Sequence, residues 1–204
     1  MTSTPDTANF MALAKEARVA QLRDNIPEEL RARRQWLCWN AAKAPSSPRT
    51  GNLASVTSPR DWGTFEQAIT GVLSYEHLEG VGFVFSSDDP YVGADLDHCI
   101  GDGVVASSAE AIVAKLDSYT ERSQSGQGVH IIVRGELPVA GRVHGDVALY
   151  QSERFFALTG DVFPDRPASI EDRTEPLMAL YEDSTPATLF GRERRLAIPS
   201  PPPA

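Results

Sequence analysis

The stretch GVGFVFSSDDPYVGADLDHC, Gly80 to Cys99, holds two apolar runs, Gly82 to Phe85 and Tyr91 to Leu96, on either side of the polar segment Ser87-Asp88-Asp89-Pro90. Short runs rich in Val, Phe and Tyr and bounded by Asp and Pro read as β-strands joined by a turn. A β-hairpin is the economical expectation. At the end of the second run stand Asp95 and Asp97, two residues apart. Side chains alternate between the faces of a strand, so both carboxylates point the same way. Two carboxylates together at the end of an apolar strand repel each other and lose hydration unless a cation lies between them. Hard oxygen donors of this kind suit Mg²⁺ or Mn²⁺, which keep several waters and then take phosphate oxygens. A DxD also occurs as plain turn or capping chemistry, so its surroundings decide its meaning.

Working outward, residues 1–25 read as a polar leader with a helix from Asn9 to Arg23, where Phe10, Leu13, Val19 and Leu22 recur at helical spacing. Pro27 opens a second helix with Glu28 and Glu29 in its first turn, and the chain then enters an aromatic strand, Gln35 to Trp39. AAKAPSSPRTGN is loop by its Pro, Ser and Gly content, and a helix follows from Thr64 to Ser74. Downstream, Ser107 to Asp117 has helical periodicity, with Ser107 or Ser108 as its cap. The strands VHIIVRG, DVALYQ and RFFALTG come next, then a short helix from Glu175 to Tyr181 and the proline-rich end AIPSPPPA. Helices alternate early and strands dominate late, which is an α+β pattern. The expected division is a leader over 1–25, a main domain over 26–165, and a short helix with a linker over 166–204.

With 204 residues, 41% of them hydrophobic and 23% charged, the chain has the composition of a soluble globular protein. It contains no apolar run of roughly 20 residues, and its first residues lack the apolar core of a secretory signal. A cytoplasmic protein without membrane partners is expected. Cys38 and Cys99 are too few for a disulfide framework and lack the spacing of a zinc site, so both read as reduced, buried thiols. The formal net charge of −9 argues against a surface that grips nucleic acid chiefly by its phosphates. Basic residues cluster only locally, at Arg31, Arg33 and Arg34, with Lys43, Arg49 and Arg60 after them.

Two further segments carry chemistry. In SQSGQGVHIIV, Ser125, Gly126 and Gly128 precede His130 at the opening of a strand. Glycines let backbone amides turn toward a phosphate at close range, and a serine hydroxyl and an imidazole can donate to the same oxygens. A glycine turn leading to a half-buried histidine is the plainer alternative. In GDVALYQSERFFALTG, Asp146, Ala148 and Tyr150 share a strand face, and Arg154 opens the next strand, where a guanidinium can hold a triphosphate or simply form a surface ion pair.

In this order and spacing, these segments resemble the primase-polymerase domains of phage and plasmid replication proteins, in the archaeo-eukaryotic primase superfamily. The resemblance runs from about Pro27 to Asp161. It takes in RRQWLCWN, the loop with Lys43 and PRTG at Pro48 to Gly51, DWGTF at Asp61 to Phe65, GVGFVF, VGADLDHC, the SGxGxH motif at Ser125 to His130, and RFFALTGD. It implies an N-terminal αβ unit packed on an RRM-like antiparallel sheet, with the active site in the cleft between them. It also implies template-directed, metal-dependent nucleotidyl transfer from an NTP or dNTP on single-stranded DNA. Asp95 and Asp97 match the metal-binding carboxylates, for Mg²⁺ or Mn²⁺. His130 with Ser125, Gly126 and Gly128 matches the motif that contacts the incoming phosphates, and Arg154 and Lys43 resemble further triphosphate contacts. The proline-rich end resembles a linker to a helicase domain in a longer chain.

One departure stands out. The family pattern carries a third acidic residue on the strand after the histidine strand, and this chain has Ala148 there. Three explanations are open: an introduced substitution, which the fidelity of the surrounding pattern favours, a natural loss of activity, or compensation by Asp146 as a metal ligand. A non-catalytic replication module that binds nucleotide or template is therefore a rival reading. A metal-dependent phosphohydrolase or nuclease using the same DxD and His is another.

Overall fold

Two antiparallel sheets lie against each other, and the chain crosses between them twice. The computed structural model describes residues 5–183. The long helix α1 (Pro5–Asn25) leads into a single helical turn, α2 (Glu28–Arg31), and the strands β1 (Trp36–Asn40) and β2 (Pro45–Ser46). Helix α3 (Phe65–Ser74) follows, opened by a capping box between Thr64 and Gln67, and then β3 (Leu78–Phe85). The second half holds β4 (Tyr91–Leu96), a small ribbon of β5 (Ile100–Gly101) and β6 (Val104–Val105), helix α4 (Ser107–Leu116), and the strands β7 (Tyr119–Arg122), β8 (Val129–Arg134), β9 (Gly141–His144), β10 (Val147–Tyr150) and β11 (Arg154–Leu158). Helix α5 (Thr174–Glu182) comes last. The first sheet has the order β11-β3-β1-β2 and the second the order β7-β8-β4-β10-β9, so the fold is α+β with antiparallel sheets.

The expected hairpin is not formed. Strand β3 pairs with β1 and β11, while β4 pairs with β8 and β10 in the other sheet. Residues Val81 to Phe85 are all buried, so β3 is a central strand with both edges taken. The turn is nevertheless fastened as a turn should be. Asp89 Oδ1 accepts from the Tyr91 amide at 2.8 Å and Oδ2 from the Ser86 amide at 3.0 Å, which redirects the chain into the second sheet. Burial pushes the Asp89 carboxyl above its ordinary pKa, and these bonds oppose the shift.

Aromatic rings fill the space between the sheets. Phe83, Phe85 and Phe156 of the first sheet meet Tyr91, Tyr119 and Ile132 of the second, with edge-on ring contacts such as Phe83 to Tyr91 at 5.9 Å. Gly93 makes that approach possible, because a Cβ there would lie 2.5 Å from the Phe156 ring and 2.6 Å from that of Phe85. On the other face of the second sheet, Val92, Ala94, Leu96, Val129 and Ile131 pack under Ile112, Val113 and Leu116 of α4 and Leu177 and Leu180 of α5. Alternation thus sends one set of β4 side chains to the helices and the set containing Asp95 toward the first sheet.

Helix α1 packs through Val19 and Leu22, while Leu13, from the same apolar recurrence, is exposed. The Gln21 and Asn25 amides donate to the Thr159 and Gly160 carbonyls just after β11. Helix α4 starts from an extended Ala106 and has no side-chain cap, because Ser107 and Ser108 already lie in its first turn. Arg134 joins the halves through both Glu29 oxygens at 2.7 Å, and the Tyr91 hydroxyl donates to the same carboxylate at 2.8 Å. The proline-rich end and most of the expected linker lie outside the described residues. No helix among the described residues is long and apolar enough to cross a membrane.

Candidate active site

Strand register sets four residues in one row across the inward face of the second sheet. Glu121 on β7 stands opposite His130 on β8, His130 opposite Asp95 on β4, and Asp95 opposite Ala148 on β10. Directly opposed side chains in an antiparallel pair sit roughly 5 Å apart at Cβ, so each residue acts on its neighbours. His130 Nε2 is 3.7 Å from Asp95 Oδ1, and its Nδ1 is 3.4 Å from Glu121 Oε1. The imidazole also stacks on Phe156 of the first sheet, with ring centroids 4.5 Å apart and planes 20° apart.

The face opens into a cleft of about 500 Å³ between the sheets, lined among others by Asp95, Asp97, Ser125, His130, Lys43 and Arg154. Six of the residues expected from sequence therefore share one cavity. Its floor comes from the second sheet, and Lys43 and Arg154 reach it from the first-sheet side. Pro45, Val56 and Phe155 give it an apolar wall.

Asp95 is the unusual group here. Its side chain is only 22% exposed, and the buried Oδ1 has no hydrogen-bond partner among the described residues, since the His130 nitrogen is at ion-pair distance only. Burial raises its pKa above the ordinary carboxylate value, the charge of Asp97 adds to this, and His130, Arg154 and Lys43 pull it down. An orphaned carboxylate oxygen beside a second, exposed carboxylate is a hard-oxygen donor set that a divalent cation can satisfy.

The other expected residues divide by role. Gly128 amide donates to Ser123 Oγ at 3.1 Å, and a Cβ on Gly128 would lie 2.8 Å from the Leu96 carbonyl oxygen. Gly126 adopts a left-handed φ of +73°. Both glycines shape the turn that presents Ser125, whose hydroxyl lies 3.1 Å from that of Ser123. Arg154 lies over the Tyr150 ring at 4.6 Å and donates to its hydroxyl at 3.2 Å, which aims the guanidinium along the cleft rim. Lys43 sits at a left-handed φ of 56° in the loop after β1. Asp146 accepts the Asp97 amide through its carbonyl, and its carboxylate turns to His98 Nδ1 at 3.2 Å. Ala148 adds no donor next to Asp95, and among the described residues no three His, Cys, Asp or Glu side chains are gathered to hold a metal ion.

Sequence reading passed over Glu121 and Phe156, both of which touch His130, and Ser123, Gln124 and Glu153, which line the cleft. No signal in the sequence singled out Glu121, which shares the short strand YTER with Arg122 and is set apart by its complete burial. The PRTG and DWGTF segments prove to be packing devices. Arg49 donates to the Trp62 and Arg60 carbonyls, and Gly63 bridges to Trp36.

No family model matches the chain. It is 36% identical over 143 residues, 65% of its length, to a curated protein of Nitratiruptor phage NrS-1 named DNA Primase-polymerase. Those residues cover 20% of that protein, so the chain spans about a fifth of the length of this relative. The resemblance carried by the ordered motifs therefore has a counterpart in a known protein, and over about two thirds of its length the chain is related to a phage DNA primase-polymerase.

Proposed function

We propose that this chain is the nucleotidyl-transfer domain of a primase-polymerase, joining a nucleoside triphosphate to a primer end on a single-stranded DNA template. One observation carries the reading: the unpartnered, buried Asp95 oxygen lies in the same cleft as Asp97, Lys43, Arg154, His130 and the Ser123–Gly128 turn. Carboxylates for a cation and donors for phosphates meet there. The arrangement of a five-stranded antiparallel sheet with α4 and α5 on its far face, packed on an αβ unit, supports the primase-type core that the motifs imply.

In this reading Asp95 and Asp97 would hold Mg²⁺ or Mn²⁺, which when bound would offset the charge of the triphosphate and ease loss of the proton from the attacking 3′-hydroxyl. The chain's own residues do the positioning. Arg154 and Lys43 offer cations to the triphosphate from the first-sheet side, and Ser125 and His130 donate from the second. Pro45, Val56 and Phe155 give the base and sugar an apolar surface and exclude water from the reacting atoms. Template-strand binding by so acidic a chain is weak, and a helicase region in a longer protein would supply a firmer hold.

Primer extension on single-stranded DNA, with Mg²⁺ or Mn²⁺ and either NTPs or dNTPs, tests the reading. In whichever form of the chain extends primers, native or Ala148→Glu, extension lost in Asp95→Asn and Asp97→Asn is expected, and full extension by either variant would sink it. A second reading is favoured by Ala148, which leaves the row without a third carboxylate: the domain binds nucleotide and synthesises poorly or not at all. Nucleotide binding without extension supports that reading, whereas phosphate release or strand cleavage without nucleotide would point to a hydrolase.

A further inference from the structure

The most heavily hydrogen-bonded acid among the described residues lies behind the site, outside the residues given a role above. Glu121 is wholly buried. Its Oε1 accepts the Thr159 amide at 3.0 Å, and its Oε2 accepts the Gly160 amide at 2.9 Å and the Tyr119 hydroxyl at 2.8 Å. His130 Nδ1 completes the set at 3.4 Å. The Thr159–Gly160 turn is itself held from outside by Gln21 and Asn25 of α1, and Gly160 has a left-handed φ of +66° with no room for a side chain beside the Gln21 carbonyl. The carboxylate is thus fixed by a turn of the first sheet while it faces a ring of the second.

We propose that Glu121 is the positioning residue of His130: its carboxylate accepts the Nδ1–H, holds the ring flat on Phe156, and so leaves Nε2 facing the cleft beside Asp95, where a second ring hydrogen on Nε2 would donate to a nucleotide phosphate. The direction of the bond follows from chemistry. Oε1 already receives an amide N–H, so it is an acceptor, and a lone pair on Nδ1 at this distance would be repelled. An imidazole whose one nitrogen is tied to a buried carboxylate has its orientation and its proton placement fixed, the device seen where histidines serve at metal and catalytic sites. Because the same carboxylate ties down the turn after β11, it also locks the distance between the His130 side of the cleft and the Arg154 strand.

The role given to Nε2 rests on the nucleotidyl-transfer reading; the bond to Glu121 does not. Two measurements on the 204-residue chain separate them. Long-range ¹H–¹⁵N correlation of the His130 ring at pH 7.5, assigned with a His130→Asn variant, reports which nitrogen carries hydrogen. Nδ1–H is expected in the native chain, and a bare Nδ1 with hydrogen on Nε2 alone overturns the proposal, with no Glu121 variant needed to fold. Calorimetric titration with MgdATP and MgATP then compares native chain and Glu121→Gln. The variant should lose the native ring signature and bind nucleotide about tenfold or more weakly, while Glu121→Asp recovers part of the loss. A Glu121→Gln chain with unchanged ring signals, or with affinity within twofold of native, overturns it. If the native chain binds neither nucleotide, the functional reading fails, and the ring signals still decide whether Glu121 sets the imidazole.

Discussion

Ala148 stands directly opposite Asp95 in the antiparallel pair of β10 and β4, on the same inward face, so position 148 is where a third carboxylate would reach the Asp95–Asp97 pair. Ala148→Glu should raise primer extension from low or absent to readily measurable. It should also lower Tm without metal, since like charges directly opposed across a sheet are destabilising, more so where burial reduces their hydration. Mn²⁺ or Mg²⁺ should then raise the Tm of the variant more than that of the native chain, because ligands that bind only the folded state stabilise it by mass action. Equal metal-induced shifts would mean that position 148 is not part of the cation site.

The orphaned Asp95 oxygen implies that the site is held at a cost to stability. Asp95→Asn should abolish extension and yet, in EDTA at pH 7, raise Tm by a few degrees, the scale of about 1 kcal/mol in a domain of this size. The sign follows from burial raising the Asp95 pKa in the fold. A carboxyl with a raised folded pKa contributes stability that is full below its unfolded pKa and lost as pH rises through the folded one. The advantage of the Asn variant should therefore be present at neutral pH and close as pH falls below the ordinary carboxylate range. Thermal melts from pH 3.5 to 7.5 check it.

The parts of the site legible in the sequence were those governed by strand parity. Asp95 with Asp97, and the Ser125-to-His130 turn, sit close together in sequence, and alternation alone put each on a definite face. Glu121 was not legible, because its meaning depends on amides 38 residues away and on the register of β7 with β8. Phe156 was hidden for the same reason, since only the packing of one sheet on the other brings its ring onto His130. The hairpin reading of Gly82 to Leu96 failed because an Asp-fastened turn has the same local chemistry whether the strands it joins pair or part. The fully buried run from Val81 to Phe85 was the available clue that β3 needed neighbours on both edges. The α+β class was legible from the order of elements, but membership of two separate sheets is a long-range property.

The two glycines before His130 should respond differently to substitution. At Gly128 a Cβ would press on Ser123 Oγ at 3.0 Å and on the Leu96 carbonyl oxygen at 2.8 Å, and the latter cannot yield without moving the β4–β8 pair. Gly128→Ala should cost about 1–3 kcal/mol of stability, as overpacking does, and weaken nucleotide binding. At Gly126 there is open space and the cost is conformational alone, about 1–2 kcal/mol for a side chain at positive φ. Gly126→Asn, which tolerates that region, should lose less than Gly126→Ala. Chemical denaturation of the four proteins ranks them.

Arg154 is aimed by Tyr150, over whose ring its guanidinium lies and whose hydroxyl it meets at 3.2 Å. Tyr150 belongs to β10 in the second sheet and Arg154 to β11 in the first, so the contact spans the mouth of the cleft. Arg154→Ala should raise KM for the nucleotide about tenfold or more, since hydrogen bonds to charged groups are worth about 1.5–3 kcal/mol, in whichever form of the chain extends primers. Arg154→Lys should recover little, because an ammonium cannot reproduce the planar stack or a two-point grip on phosphate. Tyr150→Phe keeps the ring and removes only the hydroxyl, so its KM should stay within a few-fold of native, whereas Tyr150→Ala should approach the Arg154→Ala value. If Tyr150→Ala leaves KM unchanged, the stack does not orient the guanidinium toward substrate, and Arg154 acts from the rim as a general charge. A strong fall of the Arg154→Ala effect with added salt would support that outcome, because screening weakens exposed charges at long range far more than close paired contacts.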